Sequence, residues 1–346
     1  MITQVNTAIR IDPTPSTLDP RHLFRCPYPS QISPTAEQAR QHTLDWLTNQ
    51  HIINSTRQRS YVDAMRLDLY AARCAPQLDD EKLELFCDWI IYTTQLDDHV
   101  DSDDPAAIDA TIRHLVAILD HDDPDQAQSD KDVFVVAFGD LWRRCQVIDQ
   151  PWRRQLADRW AQWLEAYLTE ASWRRDKLWP SLARYREIVR ITSAALPFPL
   201  LSDHLSGLYL PDRILNSSPI TTMRALIPDH TMAVNDVFSA PREALTNDHL
   251  NAVFIIQHEY GCTRDEAVQA VVASADDALR HFQYLEACLP ALCRDLPATP
   301  TEQADTLRMA SNLKHWFSGN LAWHQHDTAR YANGIQPLGT ASTDHR

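Results

Sequence analysis

Apolar residues recur at three- and four-residue steps along most of the chain, the spacing of a half-buried helix rather than the alternation of a strand. The pattern begins near Ser33-Pro34, where the hydroxyl can cap and the proline suits a first turn. It predicts helices over about 36–50, 57–74, 79–97, 105–120, 131–147, 150–173, 177–195, 228–259, 263–288 and 300–332. Thr263-x-x-Glu266 and Thr299-x-x-Glu302 have the capping-box pattern, the second with Pro300 in the first turn. Residues 1–33 are rich in proline and polar side chains and read as an extended segment; residues 333–346 read as a flexible tail. Neither an internal repeat nor a sustained heptad interrupts the region between. The expectation is one all-α domain over 34–332.

Composition agrees. Glycine occurs only 6 times, whereas sheet-rich and dinucleotide-binding folds lean on glycine for turns and phosphate approach. A net charge of −15 excludes non-specific nucleic-acid binding, which needs a basic surface, and does not suit an anionic membrane surface. Apolar runs such as 194–201 are short and broken by proline, so no membrane insertion is expected. The 7 cysteines are odd in number and show no C-x-x-C spacing, which fits reduced thiols and a cytoplasmic protein. The opening Met1-Ile-Thr-Gln-Val has no basic segment followed by an apolar one.

Leu96-Asp97-Asp98-His99-Val100-Asp101 closes an apolar helical segment. On a helix Asp97 and Asp101 share a face one turn apart, with Asp98 beside them. Carboxylates at a helix C-terminus repel each other and oppose the macrodipole; a divalent cation would offset that, and magnesium takes oxygen ligands of this kind. Taken alone, the run reads equally well as a solvated acidic helix end. An EF-hand fits poorly, because the sixth and twelfth positions from Asp101 are Ala106 and Ile112.

A second motif lies at Asn235-Asp-Val-Phe-Ser239-Ala-Pro-Arg242-Glu243. Asn235, Ser239 and Glu243 at i, i+4 and i+8 drift only about 80° around a helix. An amide, a hydroxyl and a carboxylate in one stripe make an oxygen-donor site for a hard cation. Pro241, inside the motif, is expected to kink the helix or mark a local break.

The two motifs together resemble the class I terpene synthase family. Asp97, Asp98 and Asp101 match its D-D-x-x-D motif, and Asn235, Asp236, Ser239 and Glu243 match N-D-x-x-S-x-x-x-E, with the usual basic residue present as Arg242. Near the C-terminus Trp316-Phe-Ser-Gly319-Asn320-Leu-Ala-Trp323 leads to Arg330-Tyr331, similar to the arginine–tyrosine pair of the bacterial and fungal members. The resemblance spans 86–331 and implies an α-helical bundle around a central cavity.

It also implies a chemistry. Three Mg2+ ions would surround the diphosphate of a linear isoprenoid substrate, held by Asp97 and Asp101 from one helix and by Asn235, Ser239 and Glu243 from the facing one. Asp98 would accept hydrogen bonds from a closing arginine. Arg242, Arg330 and Tyr331 would contact the diphosphate, for which the forked donors of arginine are well suited. Arg190, 45 residues before Asn235, is the candidate diphosphate sensor, followed by Ser193 and then by Ala194, where the family more often has glycine; Arg186 is the rival. Aromatic faces stabilise carbocations, and Phe86, Trp89, Tyr92, Phe198, Trp316 and Trp323 are candidates for the cavity wall, with Trp316 favoured by its place before the Arg-Tyr pair. Farnesyl diphosphate is the default substrate, geranyl and geranylgeranyl diphosphates the alternatives, and the product a terpene hydrocarbon or alcohol. Helix-packed homodimers are common in the family.

Three rival readings rank lower. A chain-elongating prenyltransferase would need a second aspartate-rich motif in place of Asn-Ser-Glu. Asp101-Ser-Asp103-Asp104 fits the D-x-D-D string of a protonation-initiated cyclase but overlaps the first motif. A non-catalytic diphosphate-binding protein would not need intact motifs. His315, His324 and His326 lack paired ligand spacing and read as pocket or surface groups.

Overall fold

The computed structural model describes residues 11–100, 105–295 and 298–331. Within them the chain is helical, with no strand among the described residues. The helices are α1 Ala36–Asn49, α2 Thr56–Met65, α3 Leu67–Cys74, α4 Asp80–Val100, α5 Pro105–His121, α6 Val133–Arg144, α7 Gln150–Asp176, α8 Leu182–Thr192, α9 Pro197–Leu205, α10 Asp212–Leu215, α11 Ser218–Thr246, α12 Ala252–Tyr260, α13 Arg264–Asp295 and α14 Pro300–Ala322. No described helix is long and apolar enough to cross a membrane. Asp101 and the segment 332–346 lie outside the described residues.

Both capping boxes form. Thr299 and Glu302 exchange side-chain bonds with each other's backbone amides at the start of α14, and Thr263 and Glu266 do the same ahead of α13. The differences from the sequence pattern have local causes. The segment 57–74 is two helices because Arg66 takes a left-handed φ of 51° between them. The segment 228–259 starts ten residues earlier, at Ser218, and breaks at Asn247, again left-handed at φ 57°, a conformation that asparagine tolerates at a helix end. Pro241 does not end α11, which runs on to Thr246. In α9 the prolines 197 and 199 fall in the first turn, where a missing N–H breaks no intrahelical bond; the periodicity gave no sign of this buried helix.

α11 is the central element, packed on α13, α14, α8 and α12, while α4 packs on α1, α3 and α6. The main core between them is aromatic: Trp89 and Trp160 stack at 4.4 Å between ring centres, and Phe86, Phe138 and Trp163 are fully buried. A second cluster joins α11, α12 and α13 to the N-terminal segment, which buries Ile11 and Phe24 there. That segment has one short 3-10 turn, Pro20–His22. It is tied down by Ser16 and Thr17, which donate to Asp265, and by the Ile11 amide, which donates to the Asn247 side chain at 3.0 Å.

Candidate active site

A cavity of about 870 Å³ opens between α4, α7, α8, α11 and the segment after α14. Its mouth is charged and its depth aromatic. Asp97 and Asp98 reach it from the last turns of α4, whose earlier turns bury Phe86, Trp89 and Tyr92 in the core. Asn235, Ser239, Arg242 and Glu243 reach it from α11. Among the described residues no cluster of three or more His, Cys, Asp or Glu side chains stands together; the oxygen donors are divided between two helices and on α11 include an amide and a hydroxyl.

The α11 stripe is held by neutral partners. Asn235 Nδ2 donates to the Tyr331 hydroxyl at 2.7 Å. Glu243 Oε2 accepts from Asn251 Nδ2 at 2.7 Å, and the same amide lies 3.3 Å from Ser239 Oγ. Burial, then the nearby Asp248 and Asp236, push the Glu243 carboxyl up to about 8. The Asp236 carboxyl is taken up by the protein, accepting from the Tyr185 hydroxyl at 2.9 Å and the Ala252 amide at 3.2 Å, and so ties α11 to α8 and α12. Burial raises it to about 7 despite those bonds.

The Arg330-Tyr331 pair is placed by an irregular stretch. After Ala322 the helix widens into a π turn over Trp323–Asp327, a feature often found at functional sites. The Trp323 indole N–H points to the carbonyls of Met65 and Arg66 at 3.0 and 2.9 Å, at the break between α2 and α3. Arg73 and Asp327 form a largely buried ion pair, 2.6 Å apart. Held in this way, Arg330 Nη2 reaches Asp98 Oδ1 at 3.2 Å and Nη1 reaches the Met65 sulfur at 2.9 Å. Burial works against its charge, but Asp98 and Asp97 outweigh that and hold the guanidinium firmly cationic. Tyr331 stacks on His324 with 5.3 Å between ring centres.

The structure separates the other expected residues. Arg190 does not line the cavity: it makes a two-pronged ion pair with Asp229, at 2.6 and 2.8 Å, on the far side of α8. Arg186 borders the same small outer crevice. The α8 positions that face the cavity are Tyr185, Val189 and Thr192, followed by Ser193 and Ala194. Ala194 has a left-handed φ of 54°, a conformation in which glycine is unstrained. The cations at the cavity are Arg174 from α7, Lys177 just after it, Arg242 and Arg330. Phe86, Trp89 and Trp316 are core residues and Tyr92 hydrogen-bonds the Phe134 carbonyl; Trp316 packs behind Phe198 and Tyr70, with ring centres 6.4 and 6.3 Å away. Tyr70, Phe134, Trp163, Tyr167, Phe198 and Trp323 make the aromatic wall.

Sequence reasoning missed Asn251, Tyr185 and the short hydrogen bond from Thr192 to Glu170. Only Asn251 carried a readable signal, as an asparagine directly before the apolar run Ala252-Val-Phe-Ile-Ile.

Comparison with known proteins agrees with this geometry. Residues 88–281, more than half of the chain, match the family model described as terpene synthase family 2, C-terminal metal binding. Pristinol synthase of Streptomyces pristinaespiralis is 30% identical over 328 residues, covering 92% of this chain and 88% of that protein. The (2Z,6E)-hedycaryol synthase of Kitasatospora setae is 30% identical over 335 residues, covering 92% and 96%. A (-)-beta-caryophyllene synthase of Saccharothrix espanaensis, named as cyclizing (2E,6E)-farnesyl diphosphate, is 26% identical and covers 91% of this chain and 90% of that protein. Among solved structures, the linalool/nerolidol synthase of Streptomyces clavuligerus in complex with 2-fluorogeranyl diphosphate superposes with a TM-score of 0.78 at 26% identity, over 89% of this chain and 99% of that one. The chain belongs to the class I terpene synthase family, all-α metal-binding enzymes of the carbon–oxygen lyase class.

Proposed function

We propose that this enzyme ionises a linear isoprenoid diphosphate, farnesyl diphosphate in the first instance, with the help of three Mg2+ ions, and converts the carbocation to a sesquiterpene hydrocarbon or alcohol with release of diphosphate. The observation that carries the reading is the single cavity that joins a mouth of carboxylates, amide, hydroxyl and arginine to an aromatic wall. The relative named for cyclizing (2E,6E)-farnesyl diphosphate supports the fifteen-carbon substrate.

The residues fit divalent cations. All the donors are hard oxygens, and Glu243 is a half-buried carboxylate whose hydrogen-bond partners, Asn251 and Ser239, are neutral. Asn235, Ser239 and Glu243 would hold one ion, and Asp97, with Asp101, the others. Bound Mg2+ supplies Lewis-acid stabilisation of the leaving diphosphate. The protein's own groups act around it. Arg330 and Tyr331 donate to the diphosphate oxygens on which negative charge grows. Arg330 already lies against Asp98, so that contact orients the guanidinium across the mouth. Arg242, Arg174 and Lys177 add positive charge at the same end. Tyr70, Phe198, Phe134 and Trp163 offer π faces to the migrating cation and keep bulk water out.

Purified protein incubated separately with geranyl, farnesyl and geranylgeranyl diphosphates, with and without Mg2+, and analysed by gas chromatography with mass detection tests the reading. A Mg2+-dependent fifteen-carbon product from farnesyl diphosphate is expected. A longer diphosphate formed from mixed allylic and homoallylic substrates, or diphosphate retention without any terpene, would overturn it.

A further inference from the structure

Asn251 sits in the loop between α11 and α12, is fully buried and lies outside both recognised motifs. Its amide is fixed on both sides. Oδ1 accepts from the Val253 amide at 2.8 Å and so caps α12. Nδ2 faces three oxygens of α11: the Asp236 carbonyl at 2.8 Å, Glu243 Oε2 at 2.7 Å and Ser239 Oγ at 3.3 Å. The opposite orientation would set the NH2 group against a backbone N–H and the oxygen against three oxygens, so the geometry admits one orientation only. A single side chain therefore links a helix start to two of the three oxygen donors on the facing helix.

From this geometry we infer that Asn251 is the positioning residue that presets the α11 cation site. It holds one oxygen of the Glu243 carboxylate, which leaves the other for a cation, and keeps Ser239 in register with it, so little rearrangement is needed on binding. Buried outer partners of this kind orient metal ligands and set metal affinity. The inference rests on the reading of Ser239 and Glu243 as cation ligands.

Two substitutions separate positioning from capping. In Asn251→Ser the residue still caps α12 but is too short to reach α11. In Asn251→Asp the cap and the size remain, but the donor becomes an acceptor facing Glu243. Both are compared with the intact protein by calorimetric titration of Mg2+ in the presence of inorganic diphosphate, with circular dichroism, thermal melting and turnover alongside. The expected result is a native helical spectrum in both, a half-saturating Mg2+ concentration raised about ten-fold or more in Asn251→Ser and further in Asn251→Asp, and turnover of Asn251→Ser largely recovered at high Mg2+. An unchanged Mg2+ half-saturation in both folded variants, whatever their melting temperatures, would leave Asn251 with a structural role alone and overturn the inference. If the unaltered protein binds diphosphate without any need for Mg2+, the ligand reading falls and takes this inference with it; Mg2+-dependent binding in the parent with unchanged variants removes the inference alone.

Discussion

The two sides of the cavity mouth are built differently. On α4, Asp97 and Asp98 stand at a helix C-terminus, where the macrodipole opposes them, and Asp98 meets its cationic partner Arg330 across the mouth. On α11 the donors also run toward the C-terminus, with Glu243 in the last turn and only Ser239 fully buried, but they are held by the neutral amide and hydroxyl groups of Asn251 and Tyr331. The first side is electrostatically open and answers to whatever cation approaches. The second is shaped in advance, with geometry fixed by hydrogen bonds rather than by charge. The difference suggests a division of labour: α11 fixes where one cation goes, and α4 with Arg330 responds to the incoming substrate.

The sharpest way to break that comparison is to remove the α11 carboxylate. Glu243→Gln keeps the size and hydrogen-bonding capacity but not the charge, so the fold should persist by circular dichroism while steady-state turnover falls by more than about 100-fold, beyond the loss typical of an outer-shell partner. Asp98→Asn, on the open side, should cost less, because Asp97 still faces Arg330. A larger loss in Asp98→Asn than in Glu243→Gln would reverse the roles of the two helices.

Next in size is Arg330→Ala, which removes the donor that crosses the mouth. Loss of one preorganised donor to developing negative charge costs about 10²–10³-fold in kcat, and the KM for the diphosphate substrate should rise as well. Unchanged kinetics would place Arg330 among structural ion pairs.

A smaller effect on rate, but a clear one on product, is expected deeper in the cavity. Phe198→Ala enlarges the wall itself and should change the ratio of products measured by gas chromatography. Trp316 stands one layer behind, so Trp316→Ala should first lower stability, by about 3–5 kcal/mol for a buried aromatic, and alter products only through movement of Phe198 and Tyr70. A product shift in Trp316→Ala at unchanged melting temperature would place its ring in the cavity wall.

How much of this the sequence carried depended on whether the signal was local. Helical periodicity and the capping boxes at Thr263 and Thr299 needed only neighbouring residues, and they held. The acidic run and the Asn-Ser-Glu stripe were legible because i, i+4 spacing puts donors on one face. What was not legible was which face of a helix meets the cavity. Trp316 and Phe198 are both apolar, helical and near the right motifs, and only packing decides that one ring lies behind the other. Asn251 was readable as a cap, but its reach back to Glu243 is a tertiary fact. The break at Asn247 that makes that reach possible depends on a left-handed residue that periodicity does not register.

Arg190 is the case where local reasoning and tertiary placement part most clearly, and it gives the smallest expected effect. Spacing from Asn235 singles it out, yet its guanidinium is paired on both prongs with Asp229 outside the cavity, while Val189 occupies the cavity face of the same turn. About half of its side chain is exposed, and exposed pairs contribute about 0.2–1 kcal/mol. Arg190→Ala should therefore leave kcat and KM within about three-fold of the parent and lower the melting temperature only slightly. Arg174 lies at the cavity, between Glu170 and Asp248 at 3.5 Å from each, and Arg174→Ala should raise the KM more than Arg190→Ala does. A loss in Arg190→Ala comparable to that in Arg330→Ala would mean that α8 turns during the catalytic cycle to bring Arg190 inward, and the prebuilt character assigned to this side of the cavity would then stop at α11.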